Sequence, residues 1–166
     1  YDNKITVDPQ DVKEKLLEIY STNFTDSLPL KPKLRNYALF KFGFECEPYN
    51  CAYLSRNKRS IFAQLRMGIL PLRIETGRFQ NLDLQNRICF YCNSQKVEDE
   101  YHFLFQCSHY DHLRPSFLEK CAEAEETFEI MNEIEKFRFV LSNEKVQTLT
   151  ADFAQEAFLF RKKTKL

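Results

Sequence analysis

Cys89-Phe90-Tyr91-Cys92 is followed after nine intervening residues by His102 and after four more by Cys107. Two thiolates flanking two residues can face one point across a tight turn, and an imidazole with a third thiolate completes the ligand set of a tetrahedral zinc ion, Zn2+. The pattern Cys-x2-Cys-x9-His-x4-Cys therefore predicts a knuckle on one side of the ion and a helix, or its end, on the other. His102 and Cys107 overshoot one α-helical turn, which takes roughly 3.6 residues.

The residues between the two pairs agree with that arrangement. Asn93 to Lys96 is polar turn material, and Glu98-Asp99-Glu100 places acid ahead of apolar Tyr101, Phe103, Leu104 and Phe105, as a helix N-terminus prefers. His102 is then expected in a first helical turn. His109 and His112 are alternatives to Cys107 in a looser site, although Tyr110 to Arg114 reads as the solvated side of the next helix. Cys46 and Cys51 bracket Glu47 to Asn50 without a complementary Cys/His pair nearby. With Cys121 they are expected to be buried thiols of the core, a common role for free cysteine.

The chain has 166 residues, 24 of them Phe or Tyr (16 and 8), enough to fill one core or two small helical subdomains. Six cysteines would suit a secreted disulfide scaffold, but the length, the absence of a signal-peptide pattern and the knuckle spacing favour reduced thiols and a cytoplasmic or nuclear protein. No apolar run approaches the ~20 residues of a membrane helix, so no membrane partner is expected. Net charge is zero but unevenly spread. Residues 54–87 carry seven basic side chains against two acids (+5), residues 97–135 eleven acids against two bases (−9), and the tail from 136 seven bases against three acids (+4). Such a dipolar chain can offer a basic surface to phosphate while its acidic part meets a different partner.

The elements that must position the ligands read as helices. Asp8-Pro9 opens the first, with Val12, Leu16, Leu17 and Tyr20 as an apolar stripe to about residue 21, followed by a loop to Lys33. A second helix is expected from about Leu34 to Phe42, then an extended or irregular stretch from Phe44 to Leu54. Ser55 caps a helix that carries Ile61, Phe62, Leu65 and Ile69 at helical spacing, and Gly68 and Pro71 end it. A short turn or helix runs from Leu72 to Phe79 and closes at Gly77. Further helices are expected at about 110–124, 127–141 and 145–162. The fold class is all-α, a helical domain around a small Cys3His zinc knuckle with at most a short β-hairpin. It divides into an N-terminal helical segment (1–54), an arginine-rich helix with the zinc module (55–118) and a C-terminal helical segment (119–166).

Arg59 to Gly68, Leu70-Pro71-Leu72, Glu75 to Arg78, the Cys89/Cys92 pair, Glu98 to Phe105 with Cys107, and Tyr110-x3-Arg114 occur in one order. Taken together they resemble the zinc-binding segment that follows the reverse transcriptase in polyproteins of non-LTR, LINE-like retrotransposons. The resemblance covers about residues 55–118. It implies Cys89, Cys92, His102 and Cys107 as ligands, Arg59, Arg66 and Arg78 as phosphate contacts, and a role in holding template RNA or target DNA beside a polymerase domain upstream. The chain itself has no Tyr/Phe-x-Asp-Asp polymerase motif and no endonuclease constellation. Its first residue is Tyr rather than Met, as expected of a piece of a longer polyprotein.

Three functions compete. A nucleic-acid-binding zinc module would bind RNA or DNA through the basic stretch, to which Arg73 and Arg87 also belong, with Tyr91 or Phe90 stacked on an unpaired base. A zinc-stabilised scaffold would use the acidic residues from Glu119 to Glu135 and no nucleic acid, as overall neutrality favours. A metal-dependent hydrolase needs an open coordination position, which four protein ligands would fill, so no enzymatic activity is expected of this chain.

Overall fold

The computed structural model describes residues 8–43, 46–51 and 54–164, apart from the side chains of Pro32 and Cys51. The fold is all-α. Helix α1 spans Pro9–Ser27, α2 Pro48–Cys51, α3 Arg56–Met67, α4 Arg73–Thr76, α5 Arg114–Ala124, α6 Glu133–Ser142 and α7 Gln147–Lys163. Short 3-10 turns and one π-turn, His102–Gln106, join them. The extended pairing among the described residues is a single antiparallel bridge, Ile88 to Val97.

Helix α3 begins where Ser55 accepts a hydrogen bond from the Lys58 amide and ends at Gly68, whose φ is +72°. A side chain at Gly68 would be strained by that left-handed backbone and would crowd the Arg35 guanidinium, 3.0 Å from an added Cβ. The apolar face of α3 packs along α7, while α5 and α6 lie against α7 from other sides. Phe62, Leu65, Leu70, Leu72, Phe103, Leu104, Tyr110, Val140, Ala154 and Ala157 are buried in one core that draws on both halves of the chain. Helix α6 opens with a reciprocal capping box, Asn132 with Glu135, at 3.0 and 2.9 Å.

Several boundaries differ from the sequence reading. Helix α1 continues to Ser27, because Asn23 to Ser27 hold no residue that breaks it, and the expected helix over 34–42 is replaced by the 3-10 turns Pro32–Leu34 and Tyr37–Leu39. There Asn36 turns inward and donates to the Leu65 carbonyl at 3.1 Å, which fixes an irregular path. Residues 48–51, within the stretch expected to be extended or irregular, make one helical turn. Phe44, Glu45, Ala52 and Tyr53 lie outside the described residues. The segment 127–141 is split at Met131 into a 3-10 turn and α6. The stripe of α1 reaches no core: Val12, Leu16, Leu17 and Tyr20 are exposed.

Arg35 links the irregular segment to the rest, donating to Gly68 O (2.9 Å) and to both carboxylate oxygens of Glu100 (2.6 and 2.7 Å). Glu100 is 2% exposed and Arg35 30%, so losing the arginine strands a charge that has no route to water. Arg35→Ala should therefore destabilise the fold by about 3–5 kcal/mol in urea unfolding, and adding Glu100→Gln should recover part of that loss. A double variant less stable than the single one would contradict the assignment.

Candidate metal centre and the basic surface

The local fold brings the four sequence-predicted ligands together: the ligand atoms of Cys89, Cys92, His102 and Cys107 all lie within 4.8 Å of one another. Cys89 starts the knuckle, where its amide donates to Lys96 O (2.9 Å) and the Glu98 amide donates to Arg87 O (3.0 Å) on the other side of the bridge. Gln95 takes a positive φ of 56° to reverse the chain. The Tyr91 amide points at the Cys89 sulfur (3.4 Å) and Ser94 Oγ lies 3.1 Å from that of Cys92, the polar support expected around thiolate ligands.

The other two ligands come from the π-turn. On an α-helix, five residues at roughly 100° each would place the His102 and Cys107 side chains about 140° apart. The wider turn, closed by the Cys107 amide on His102 O at 2.8 Å, brings both to one side. Asp99 starts it by accepting from the His102 amide (2.7 Å), and Arg114 ends it by donating to the Leu104 (3.1 Å) and Cys107 carbonyls. The sequence spacing overshot one α-turn for this reason.

Cys89 and Cys107 sulfurs are 3.8 Å apart, and His102 Nε2 is 3.3 Å from the Cys92 sulfur. A tetrahedron with metal–sulfur bonds of about 2.3 Å has edges of about 3.8 Å, so these donors are at ligand spacing. Cys89, His102 and Cys107 are buried and Cys92 is half-buried. Without an ion, the hydrogen bond from Cys107 and then burial push the Cys89 thiol up to about 12. Burial disfavours the charged form of His102, but hydrogen bonds and charge from Cys89 and Cys92 outweigh it and raise its pKa. The His102 Nδ1 atom is buried with no hydrogen-bond partner. The group can hold a metal ion. His109 and His112 are not part of it and instead pack on Phe160, with ring centroids 4.8 and 4.3 Å away.

Glu98 and Glu100, read from sequence as acids favouring a helix start, are buried structural anchors, and only Asp99 does the capping. Glu98 accepts from the Arg73 amide (2.8 Å) and from Arg161, and its Oε1 lies 3.8 Å from the Cys89 sulfur. Arg161 also donates to the Tyr110 hydroxyl, and its guanidinium sits 4.3 Å from the Tyr91 ring centre. Burial works against the charge on Arg161, yet Glu98 and Tyr110 raise its pKa. Sequence reading missed Arg35 and Arg161 because their partners are 65 and 63 residues away.

The basic residues do not form the single row expected of a phosphate track. Arg66 is 4% exposed, inserted among aromatic rings and bound to Glu47 and to Leu141 O, so it is a core residue. Arg87 crosses Gly77, where an added Cβ would come within 2.7 Å of its Cγ, and donates to Ile74 O (2.8 Å) and Leu82 O (3.1 and 2.9 Å). Neither guanidinium is presented to phosphate. Arg78 is half-buried and paired with Glu75 at 2.9 Å. Tyr91 is half-buried, with the Arg161 guanidinium over its ring and the His109 ring tilted against it. Arg59 is exposed, and Arg73 lies 4.2 Å from the ring centre of Phe90, itself 74% exposed at the knuckle.

The remaining cysteines divide. Cys121 is buried, which pushes its thiol up to about 12, whereas Cys46, expected in the core, is exposed beside the Glu47 carbonyl. The side chain of Cys51 lies outside the described residues. Comparison with protein-family models, with curated proteins and with solved structures found no match for this chain. No described helix is long and apolar enough to cross a membrane.

Protein purified under reducing conditions should carry close to one equivalent of metal by elemental analysis. Its affinity should fall as pH drops, because binding must displace protons from thiols and imidazole. Cys92→Ser should release the ion and increase amide exchange at the knuckle and π-turn. Metal-free protein with unchanged exchange there would refute the site.

Proposed function

We propose that this chain is a zinc-stapled accessory module that binds single-stranded nucleic acid at its knuckle. Zinc is the assignment because three thiolates and an imidazole select a borderline-soft, tetrahedral ion over magnesium or calcium. Four protein ligands fill that tetrahedron and leave no open position, which supports a structural role without catalysis. When bound, the ion supplies cross-linking of the knuckle to the π-turn. Cys89, Cys92, His102 and Cys107 hold it, and Glu98, Asp99 and Arg114 hold them.

The observation that carries the nucleic-acid reading is the exposed Phe90 ring with the Arg73 guanidinium over it. An aromatic face with an adjacent cation is suited to stacking an unpaired base while contacting its phosphate. The stacking residue is Phe90 in this reading, in place of Tyr91. The ordered motifs of residues 55–118 support origin from the region downstream of a non-LTR retrotransposon reverse transcriptase, with a polymerase domain as neighbour in a longer polyprotein. The comparisons with known proteins add nothing to that origin.

A salt titration of fluorescence anisotropy with single-stranded RNA and DNA tests the function. Binding should be weak, nearly sequence-independent and steeply salt-dependent. Phe90→Ala should cost about 1–3 kcal/mol with little change in salt slope. Arg73→Gln should flatten the slope by about 0.7. Tyr91→Ala should lower stability more than it lowers binding. Absence of binding by zinc-loaded protein at low salt would reject the reading and leave the scaffold alternative, which the neutral net charge favours.

A further inference from the structure

A groove of about 690 Å³ runs between α5 and the segment Phe128 to Lys136. Its apolar lining comes from Leu118, Ala122 and Phe128, and its polar lining from Glu119, Glu123 and Glu129. All three glutamates are exposed, and among the described residues none is paired with a cation. Glu119 and Glu123 stand one turn apart on the same face of α5, an i, i+4 like-charge arrangement that is unfavourable in a helix. Lys136 is the cation at the groove, and its ammonium is engaged by the Glu129 carbonyl at 3.0 Å and lies 5.6 Å from the centre of the Phe128 ring. An apolar groove thus lies beside carboxylates that have no ion-pair partner among the described residues.

We propose that this groove is a docking site for a basic amphipathic helix of a partner protein. An apolar stripe on such a helix would rest on half-buried Leu118 and Ala122, with Phe128, 3% exposed, as the floor of the groove, the usual helix-in-groove mode. Lysine or arginine at i, i+4 on its flank would match the one-turn spacing of Glu119 and Glu123 and relieve their repulsion. Nucleic acid is disfavoured here, because phosphate would meet three carboxylates against the single ammonium of Lys136. The groove is built from other residues than Phe90 and Arg73, so its failure would leave the nucleic-acid reading standing, and the reverse also holds.

The test uses the full zinc-loaded chain and a fluorescent helical peptide of leucine and lysine, with leucine at i, i+3, i+4 and i+7. A peptide with glutamate in place of lysine and a lysine peptide of scrambled order serve as controls. Anisotropy reports affinity, and amide chemical shifts report the place of binding. The lysine peptide should bind at least tenfold more tightly than either control, with shifts centred on α5 and Phe128. Glu119→Lys with Glu123→Lys, both exposed and without an ion-pair partner among the described residues, should lower that affinity at least tenfold and create binding of the glutamate peptide. Equal binding of the three peptides, shifts outside the groove, no effect of the charge reversal, or closure of the groove by a second copy of the chain would each overturn the proposal.

Discussion

The parts that place Cys89, Cys92, His102 and Cys107, the four candidate metal-ligating side chains, converge on Glu98. Its backbone closes the knuckle through Arg87 and receives the Ile74 amide at 3.0 Å. Its carboxylate takes the Arg73 amide and Arg161, and lies beside the Cys89 sulfur. One residue therefore ties the start of α4, the knuckle and α7 to the metal site. A carboxylate this buried is tolerated only where a cation and hydrogen bonds replace the water it has lost, and Arg161 supplies the charge. Arg161 in turn occupies the space beside Tyr91, Phe103, Tyr110 and Phe158, so the aromatic packing of the core presumes the ion pair.

The clustering of Cys89, Cys92, His102 and Cys107 was legible in the sequence because bringing them together is a local problem. Four side chains within nineteen residues, 89–107, must meet, and spacing alone limits how they do so. Helix α3 was legible for a similar reason: a Ser cap, a glycine terminator and an apolar stripe are all contained within its own length. The π-turn was visible only as a misfit, a spacing one residue too long for an α-turn. Nothing in five residues states whether the chain will widen the turn or end the helix.

The fates of the arginines were not legible. A guanidinium in a basic stretch looks like a surface charge until the distant acid or carbonyl is known, as Arg66 shows with Leu141, 75 residues away. Burial turned Arg66 and Arg87 into hydrogen-bond donors that satisfy carbonyls within the protein. The same ambiguity hid Glu98 and Glu100, whose position ahead of an apolar run already had a sufficient local explanation in the helix dipole. Overlap of local and distant causes at one residue is where single-sequence reasoning fails here. Asp99, between them, followed the local rule.

The pairing of α3 with α7 has a consequence for the order in which the molecule assembles. Lys58 and Asp152, an ion pair across that interface at 2.6 Å, are 94 residues apart in the chain, whereas the knuckle and π-turn close a loop spanning 89–107. Closing the shorter loop costs less chain entropy, and its four ligands lie within residues 89–107. During synthesis the knuckle segment is complete while α7 has yet to be made, and until then the face of α3 that packs along α7 lacks that cover. The nascent chain is therefore most vulnerable to misassociation through α3, in the interval between emergence of the ligand cluster and arrival of its last packing helix.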